Sequence, residues 1–81
     1  MDFVFSKHAL DMLTERDIRE AWVQDAIDDP DWKFEGFDGN MHFYKSVTGR
    51  EGRFLHVVTN ARVQPAKVVT AFFDRRARRP E

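Results

Sequence analysis

Residues 54–59 (FLHVVT) and 68–73 (VVTAFF) are apolar at nearly every position. β-Branched and aromatic side chains dominate both segments, and short apolar runs of this composition favour β-strands. A strand covered on both faces does not need the alternation of apolar and polar residues that an open strand shows. We therefore predict two central strands here, over residues 53–60 and 67–73.

Two further strands are predicted upstream. Trp32 and Phe34 begin an alternating pattern, and residues 41–47 (MHFYKSV) continue it. Between them, residues 38–40 (DGN) tolerate positive φ and predict a hairpin turn. Residues 48–52 (TGREG) predict the next turn, and the last turn is expected around Pro65.

The first part of the chain is predicted to be helical. In residues 5–18 (FSKHALDMLTERDI), Ser6 is a good N-cap, and an apolar stripe with helical spacing follows it. A break over residues 16–18 ends this helix. A second helix is predicted over residues 18–27, because apolar residues recur at helical spacing until Asp-Asp-Pro stops it.

These elements predict an α+β domain of order ααββββ, with the helix pair on one face of a four-stranded antiparallel sheet. The 81 residues, 42% of them hydrophobic, suffice for one small domain that buries about 60 to 65% of its unfolded surface. A single domain is therefore expected over residues 1–81, with a basic tail over residues 75–81.

Charge is divided unequally along the chain. Residues 1–40 hold 4 Lys/Arg and 11 Asp/Glu, whereas residues 41–81 hold 9 and 3. This asymmetry suggests that the second half faces a polyanion or an acidic partner, unless folding brings the opposite charges together. Guanidinium groups grip phosphate in a bidentate way. The predicted RNA-binding residues are Arg53, Lys67, Arg75, Arg76, Arg78 and Arg79. The alternative for the tail is a solvated, mobile C-terminus.

Composition also argues against several classes of protein. No apolar run approaches the roughly 18 residues of a membrane helix, and no signal-peptide pattern opens the chain, so a cytoplasmic protein that does not contact membrane is expected. Cysteine is absent and the three histidines share no short ligand spacing. Neither a metal site nor a cofactor is therefore predicted.

His8 is the first candidate for chemistry. It lies in the first turn of the first predicted helix, where the positive end of the helix dipole disfavours an imidazolium ion. A neutral imidazole can accept a proton, as a general base must. His8 also lies well round the helix from Leu13, so it is not expected to point at the core. The alternative is that His8 is a surface residue at the end of the helix without a functional role.

Other candidates lie on the predicted strands. Alternation places His42 and Tyr44 on one face of their strand, and His56 shares a face with Phe54 and Val58. Each histidine, taken singly, also fits a purely structural role, and the Tyr44 ring fits packing with its hydroxyl in water.

Thr70 stands in the middle of the last predicted strand. Packing alone accounts for a β-branched residue there. Its functional interpretation rests on a resemblance to a family.

Several motifs carry that resemblance. Residues 5–18 followed by VQDAIDDPD (residues 23–31) resemble the opening of the small bacterial domain-of-unknown-function family 4258, in which a His-Ala pair starts a helix that ends at an Arg-Gly-Ile-type break. RFLHVVTN (residues 53–60) and KVVTAFF (residues 67–73) resemble its paired strands. Asp17 replaces the glycine of the break, and aspartate tolerates the left-handed conformation that glycine would supply there.

The resemblance implies a fold similar to that of the RelE and BrnT toxins, which are metal-independent ribonucleases usually restrained by a partner antitoxin. It matches His8, Arg16 and Thr70 to positions of the family's motifs. The expected reaction is attack of the ribose 2′-hydroxyl on the adjacent RNA phosphate, with Arg53 helping Arg16 to stabilise the phosphate. His8 is expected to be the base or acid, and Thr70 to make a hydrogen bond to the phosphate. His56 or Tyr44 is expected to make the complementary proton transfer; Arg53 and His56 are proposed on chemical grounds and not from the family motif. The predicted catalytic residues are His8, Arg16, Thr70, His56 and Tyr44.

Two competing hypotheses remain. In the first, the same scaffold binds RNA or a partner protein without catalysis. In the second, the chain docks to another protein through a free sheet edge.

Overall fold

A computed structural model describes residues 2–80 of the chain. The elements in chain order are β1 (Phe3–Phe5), α1 (Lys7–Glu15), α2 (Glu20–Asp28), β2 (Trp32–Glu35), β3 (Met41–Val47), a 3₁₀ turn (Thr48–Arg50), β4 (Arg53–Asn60) and β5 (Ala66–Phe73). The five strands form one mixed sheet in the order β1-β5-β4-β3-β2. The α+β class and the two helices are therefore confirmed.

Helix α1 begins and ends as its sequence predicts. The Ser6 hydroxyl accepts a hydrogen bond from the backbone N–H of Ala9 at 3.0 Å, so Ser6 is the N-cap. At the other end, Asp17 has φ 55°. This left-handed residue turns the chain so that the Ile18 N–H donates to the Leu13 carbonyl at 2.9 Å.

The prediction of a four-stranded antiparallel sheet is wrong in one respect, because a fifth strand precedes the helices. Strand β1 pairs in parallel with β5, with Phe3 opposite Ala66 and Phe5 opposite Val68. Three residues are too short to show a strand alternation, and their partner lies more than sixty residues away along the chain. The order is therefore βααββββ and the sheet is mixed.

The remaining strands match their predictions closely. Strands β2 to β5 pair antiparallel in sequence order, and β3 and β4 have the predicted bounds. Strand β5 starts at Ala66, one residue earlier than expected. In the β2–β3 turn, Gly39 has φ 80°, as the hairpin prediction required. A register shift between Val58 and Thr59 marks a bulge between β4 and β5.

Both helices pack on the same face of the sheet. Helix α1 lies against β5, and α2 lies against β3 and β4. The buried core between the layers includes Ala9, Leu13, Val23, Ile27, Phe43, Leu55, Val57, Val68 and Ala71. No helix within residues 2–80 is long and apolar enough to cross a membrane.

Strand residues adjacent to core positions point to the opposite side of the sheet. We call this side the open face; it carries Trp32, Phe34, His42, Tyr44, Phe54, His56 and Phe72.

Candidate functional site

The open face is a nearly continuous aromatic surface. The Tyr44 ring stacks on Trp32 and on His56, with centroid distances of 4.6 Å and 4.2 Å. Phe34 stacks on His42 at 5.0 Å with an interplanar angle of 5°. Pairing of β3 with β4 produces this arrangement, because Tyr44 lies directly opposite His56. Each ring is therefore held by a neighbour on an adjacent strand.

A chain of four polar side chains crosses this aromatic surface. Asp74 Oδ2 lies 3.2 Å from His56 Nδ1, and His56 Nε2 lies 2.8 Å from His42 Nδ1. His42 Nε2 in turn lies 3.3 Å from Asp38 Oδ1. The middle of the chain is the most enclosed, since the side chains of His56 and His42 are 10% and 15% exposed while that of Asp38 is 50% exposed.

The contacts define where protons can lie. The Asp74 carboxylate only accepts, so His56 Nδ1 carries a proton and Nε2 of neutral His56 accepts the bond from His42 Nδ1–H. His42 Nε2 then either keeps a lone pair or, after binding one more proton, donates to Asp38. All three contacts are satisfied together only when the two rings hold one proton more than two neutral imidazoles.

Burial lowers the pKa of His56, and the neighbouring His42 acts in the same direction, although the hydrogen bond and charge of Asp74 oppose both effects. Burial also raises the pKa of Tyr44, with a further contribution from the negative charge of Asp74. Around neutral pH, His56 is therefore a neutral acceptor and Tyr44 keeps its hydroxyl proton.

This arrangement resembles a catalytic triad in its logic. A carboxylate fixes the tautomer of one imidazole, which orients a second ring whose outer nitrogen faces the rim of the site. His42 Nε2 is that outer nitrogen. When Nε2 is not donating to Asp38 Oδ1, which lies 3.3 Å away, it can take a proton from a bound hydroxyl and return it later.

The basic tail returns to the same face. The Arg79 guanidinium lies over the Phe54 ring at 5.4 Å, and its Nη2 lies 3.7 Å from the Asp31 carboxylate. Of the other predicted RNA-binding residues, Arg53 lies over the Phe73 ring at 5.3 Å. The remaining members of that set are all exposed: Lys67, Arg75, Arg76 and Arg78. The tail therefore supplies positive charge beside the aromatic surface.

The structure places four of the five predicted catalytic residues in two groups. Tyr44 and His56 meet on the open face. Arg16 and Thr70 meet elsewhere, where Arg16 Nη1 donates to the Ala71 carbonyl at 2.9 Å and lies 3.5 Å from the Thr70 hydroxyl. His8 is exposed on α1, and none of the hydrogen bonds described here joins it to either group.

Sequence reasoning did not assign catalytic roles to His42, Asp38 or Asp74. The available signal was alternation, which placed His42 on the same strand face as Tyr44. The register between the strands, which brings His42 and His56 into contact, was not readable from that pattern.

Within residues 2–80, no group of three or more His, Cys, Asp or Glu side chains is arranged to hold a metal ion.

The burial of His56 predicts that the stability of the fold depends on pH. The folded protein holds His56 neutral by burial, whereas the unfolded chain titrates near the ordinary value of 6.5. Below that pH, unfolded chains bind a proton that the folded protein resists, so the free energy of unfolding should fall as pH drops from 6.5 through the lowered pKa of His56. Urea unfolding between about pH 5 and 8 measures this. The His56→Gln variant should show a flatter profile in that window; identical slopes would contradict the assignment.

Comparison with known proteins gives one positive result. The family model described as "Domain of unknown function (DUF4258)" matches residues 5–73. No curated protein and no solved structure matches the chain with significance. The matched segment runs from the end of β1 to the end of β5 and contains both groups of predicted catalytic residues. The chain therefore belongs to the family DUF4258, a domain of unknown function.

Proposed function

We propose that this protein is a metal-independent endoribonuclease that cleaves RNA by attack of a ribose 2′-hydroxyl on the adjacent phosphate. The observation that carries the proposal is the hydrogen-bonded chain from Asp74 through His56 to His42. Such a chain leaves one oriented imidazole nitrogen at the rim of an aromatic surface, and aromatic surfaces beside positive charge suit single-stranded nucleic acid.

In the proposed reaction, His42 Nε2 removes the 2′-hydroxyl proton and the 2′-oxygen forms a bond to phosphorus. The bond from phosphorus to the 5′-oxygen of the next nucleotide breaks, and the Tyr44 hydroxyl donates a proton to that oxygen. The products are a 2′,3′-cyclic phosphate and a 5′-hydroxyl. Proton exchange through solvent then returns the proton held by His42 to Tyr44.

His56 and Asp74 act as positioning residues in this scheme. Asp74 fixes the tautomer of His56, and His56 holds the His42 ring so that Nε2 points outward. Arg79 lies over Phe54, which is four residues along β4 from the residue opposite His42, so it would hold the RNA strand along the open face and not the reacting phosphate. Removal of any one of these supports should slow the reaction without abolishing the fold.

The assignment differs from the one that the family resemblance implies. Tyr44 keeps a proton-transfer role, whereas the role predicted for His8 passes to His42. The Arg16 guanidinium is engaged by the Ala71 carbonyl at 2.9 Å, so it suits a link between α1 and β5. Control by a partner antitoxin stays a prediction of the resemblance.

The second candidate function is a module that binds RNA without cleaving it. The exposed ring of Phe34 and the half-buried ring of Trp32 favour it, because stacking on aromatic side chains alone supports binding of single strands. In that case the histidine chain would serve only to hold the surface together.

Cleavage in the presence of a chelator separates the two functions. Purified protein is incubated in EDTA with labelled single-stranded RNA, double-stranded RNA and a 2′-O-methyl copy of the single strand. The proposal predicts cleavage of unmodified single strands and none of the 2′-O-methyl copy, which lacks the attacking hydroxyl. If the protein binds the unmodified single strand and its 2′-O-methyl copy but cleaves neither, the result would favour the binding module.

Gly36 offers a test of how the His42 ring is positioned. A Cβ at Gly36 would lie 2.6 Å from His42 Nε2 and 2.8 Å from Asp38 Oδ1, so Gly36→Ala must displace the ring that the mechanism uses. Because the displaced atoms belong to side chains at the rim, the fold should survive. Cleavage should fall roughly 10- to 100-fold, as expected for a misplaced catalytic group.

The matched control is Gly49→Ala, whose Cβ would meet the Trp22 ring at 3.3 Å on the helix side of the sheet. Cleavage rates of both variants are compared with the wild type, together with their urea unfolding curves. Equal cleavage rates of the Gly36→Ala variant and the wild type would show that cleavage does not depend on the position of the His42 ring.

A further inference from the structure

A hollow of about 750 Å³ lies at the end of the β2–β3 hairpin. This volume is within the range of small-molecule sites in proteins. The hollow is lined by Phe34, Glu35, Gly36, Phe37, Asp38 and His42. The proposed reaction uses only His42 from this set. Phe34 and Asp38 contact the His42 ring, and Glu35 and Phe37 have no role assigned so far.

Two phenylalanine side chains make the hollow suitable for a planar ligand. Phe34 is 46% exposed although it stacks on His42, and Phe37 is 115% exposed. A single exposed aromatic residue is common, but two beside one hollow offer a stacking surface. A nucleobase stacks on such rings whatever its sequence identity, and each stacked base strengthens binding by about tenfold or more.

Two carboxylates decide which nucleobase fits. The backbone N–H of Asn40 donates to Asp38 Oδ1 at 2.9 Å and lowers the pKa of that carboxyl, so Asp38 is ionised and only accepts hydrogen bonds. Glu35 is exposed on the same rim. Negative charge there favours a ligand that presents N–H donors.

We propose that this hollow binds a guanine base of the RNA substrate, an inference that rests on the proposed function. Guanine presents the neighbouring N1–H and N2–H donors on one edge, which match the two oxygens of the exposed Glu35 carboxylate. Both Asp38 oxygens already contact Asn40 or His42, so Asp38 contributes its charge to the rim. Uracil presents one N–H between two carbonyl oxygens, which the carboxylates repel. Adenine and cytosine present one exocyclic amine beside a ring acceptor.

The position of the hollow links base recognition to the reaction. His42 lines the hollow and also ends the histidine chain. A guanine stacked there places its own ribose beside His42 Nε2. Cleavage is therefore expected at the phosphate that follows guanosine, with the 2′-hydroxyl of that guanosine as the attacking group.

Binding to 2′-O-methyl RNA tests the inference separately from cleavage. Three fluorescein-labelled decamers are used: one of uridine only, one with a single central guanosine and one with a single central adenosine. Fluorescence anisotropy gives their dissociation constants with the wild type and with the Phe34→Ala, Phe37→Ala and Leu10→Ala variants. Leu10 is 40% exposed on α1 and is the matched control.

The expected result is about tenfold tighter binding of the guanosine decamer than of the other two by the wild type and by Leu10→Ala. Both phenylalanine variants should lose this preference, because guanine reaches the carboxylates of the rim only when it is held in the hollow by stacking. Equal affinity for all three decamers would overturn the inference and would fit a hollow that accepts an apolar protein side chain. A guanosine preference that survives in both phenylalanine variants would also overturn it. A guanosine preference in a protein that cleaves no RNA would leave this site standing and overturn the nuclease alone.

Discussion

Replacing His42 by alanine should lower the rate of RNA cleavage at least about 100-fold, because general acid–base catalysis contributes roughly 10²- to 10⁴-fold in enzymes. His42→Gln should show a similar loss, since the amide keeps a hydrogen-bond donor but cannot accept a proton. Initial rates on a single-stranded RNA in EDTA, with circular dichroism to confirm folding, provide the measurement.

His8→Ala is the informative comparison for this prediction. The family resemblance assigns the acid or base role to His8, whereas the geometry assigns proton transfer to His42, which lies 2.8 Å from His56. We expect the large loss in the His42 variants and a nearly unchanged rate in His8→Ala. The reverse pattern would return the reaction to the helix terminus and make the histidine pair structural.

Phe43→Ala should lower the free energy of unfolding by about 3 to 5 kcal/mol. Phe43 is 1% exposed in the core between the sheet and the helices, and truncation leaves a cavity that the neighbouring strands cannot fill. Small domains have only about 5 to 15 kcal/mol of stability in total. The variant should therefore be close to unfolding at physiological temperature.

Phe37→Ala removes the same side chain from a residue that is 115% exposed. Its stability should stay within about 0.5 kcal/mol of the wild type. Urea unfolding of the two variants side by side measures the difference. Comparable destabilisation of both would mean that the described core does not hold the domain together.

Most of the sheet was predictable from local patterns. Alternation and turn residues marked β3 and β4 at their observed bounds, because each strand is long enough to show its period. Strand β1 was missed because its three residues carry no period, and its parallel pairing with β5 depends on how the helices return the chain. Long-range pairing of this kind leaves no local signature in the sequence.

The candidate site was predictable only in pieces. Tyr44 and His56 were named as candidates, and the register that places them opposite each other explains why they meet. The contact between His42 and His56 joins neighbouring strands, so it depends on the same register, and Asp74 reaches His56 only because β5 ends beside it. Arg16 and Thr70, which the family resemblance named, lie 3.5 Å apart, and their catalytic role stays a prediction.

The chemical nature of the RNA ends tests the central claim most directly. Wild-type protein is incubated in EDTA with a DNA strand that contains one guanosine ribonucleotide, and the products are identified by mass spectrometry. We predict a single cut after that ribonucleotide, with a 2′,3′-cyclic phosphate on one fragment and a 5′-hydroxyl on the other. Fragments with a 3′-hydroxyl and a 5′-phosphate, or cuts at deoxynucleotides, would contradict attack by the 2′-hydroxyl and with it the role proposed for His42.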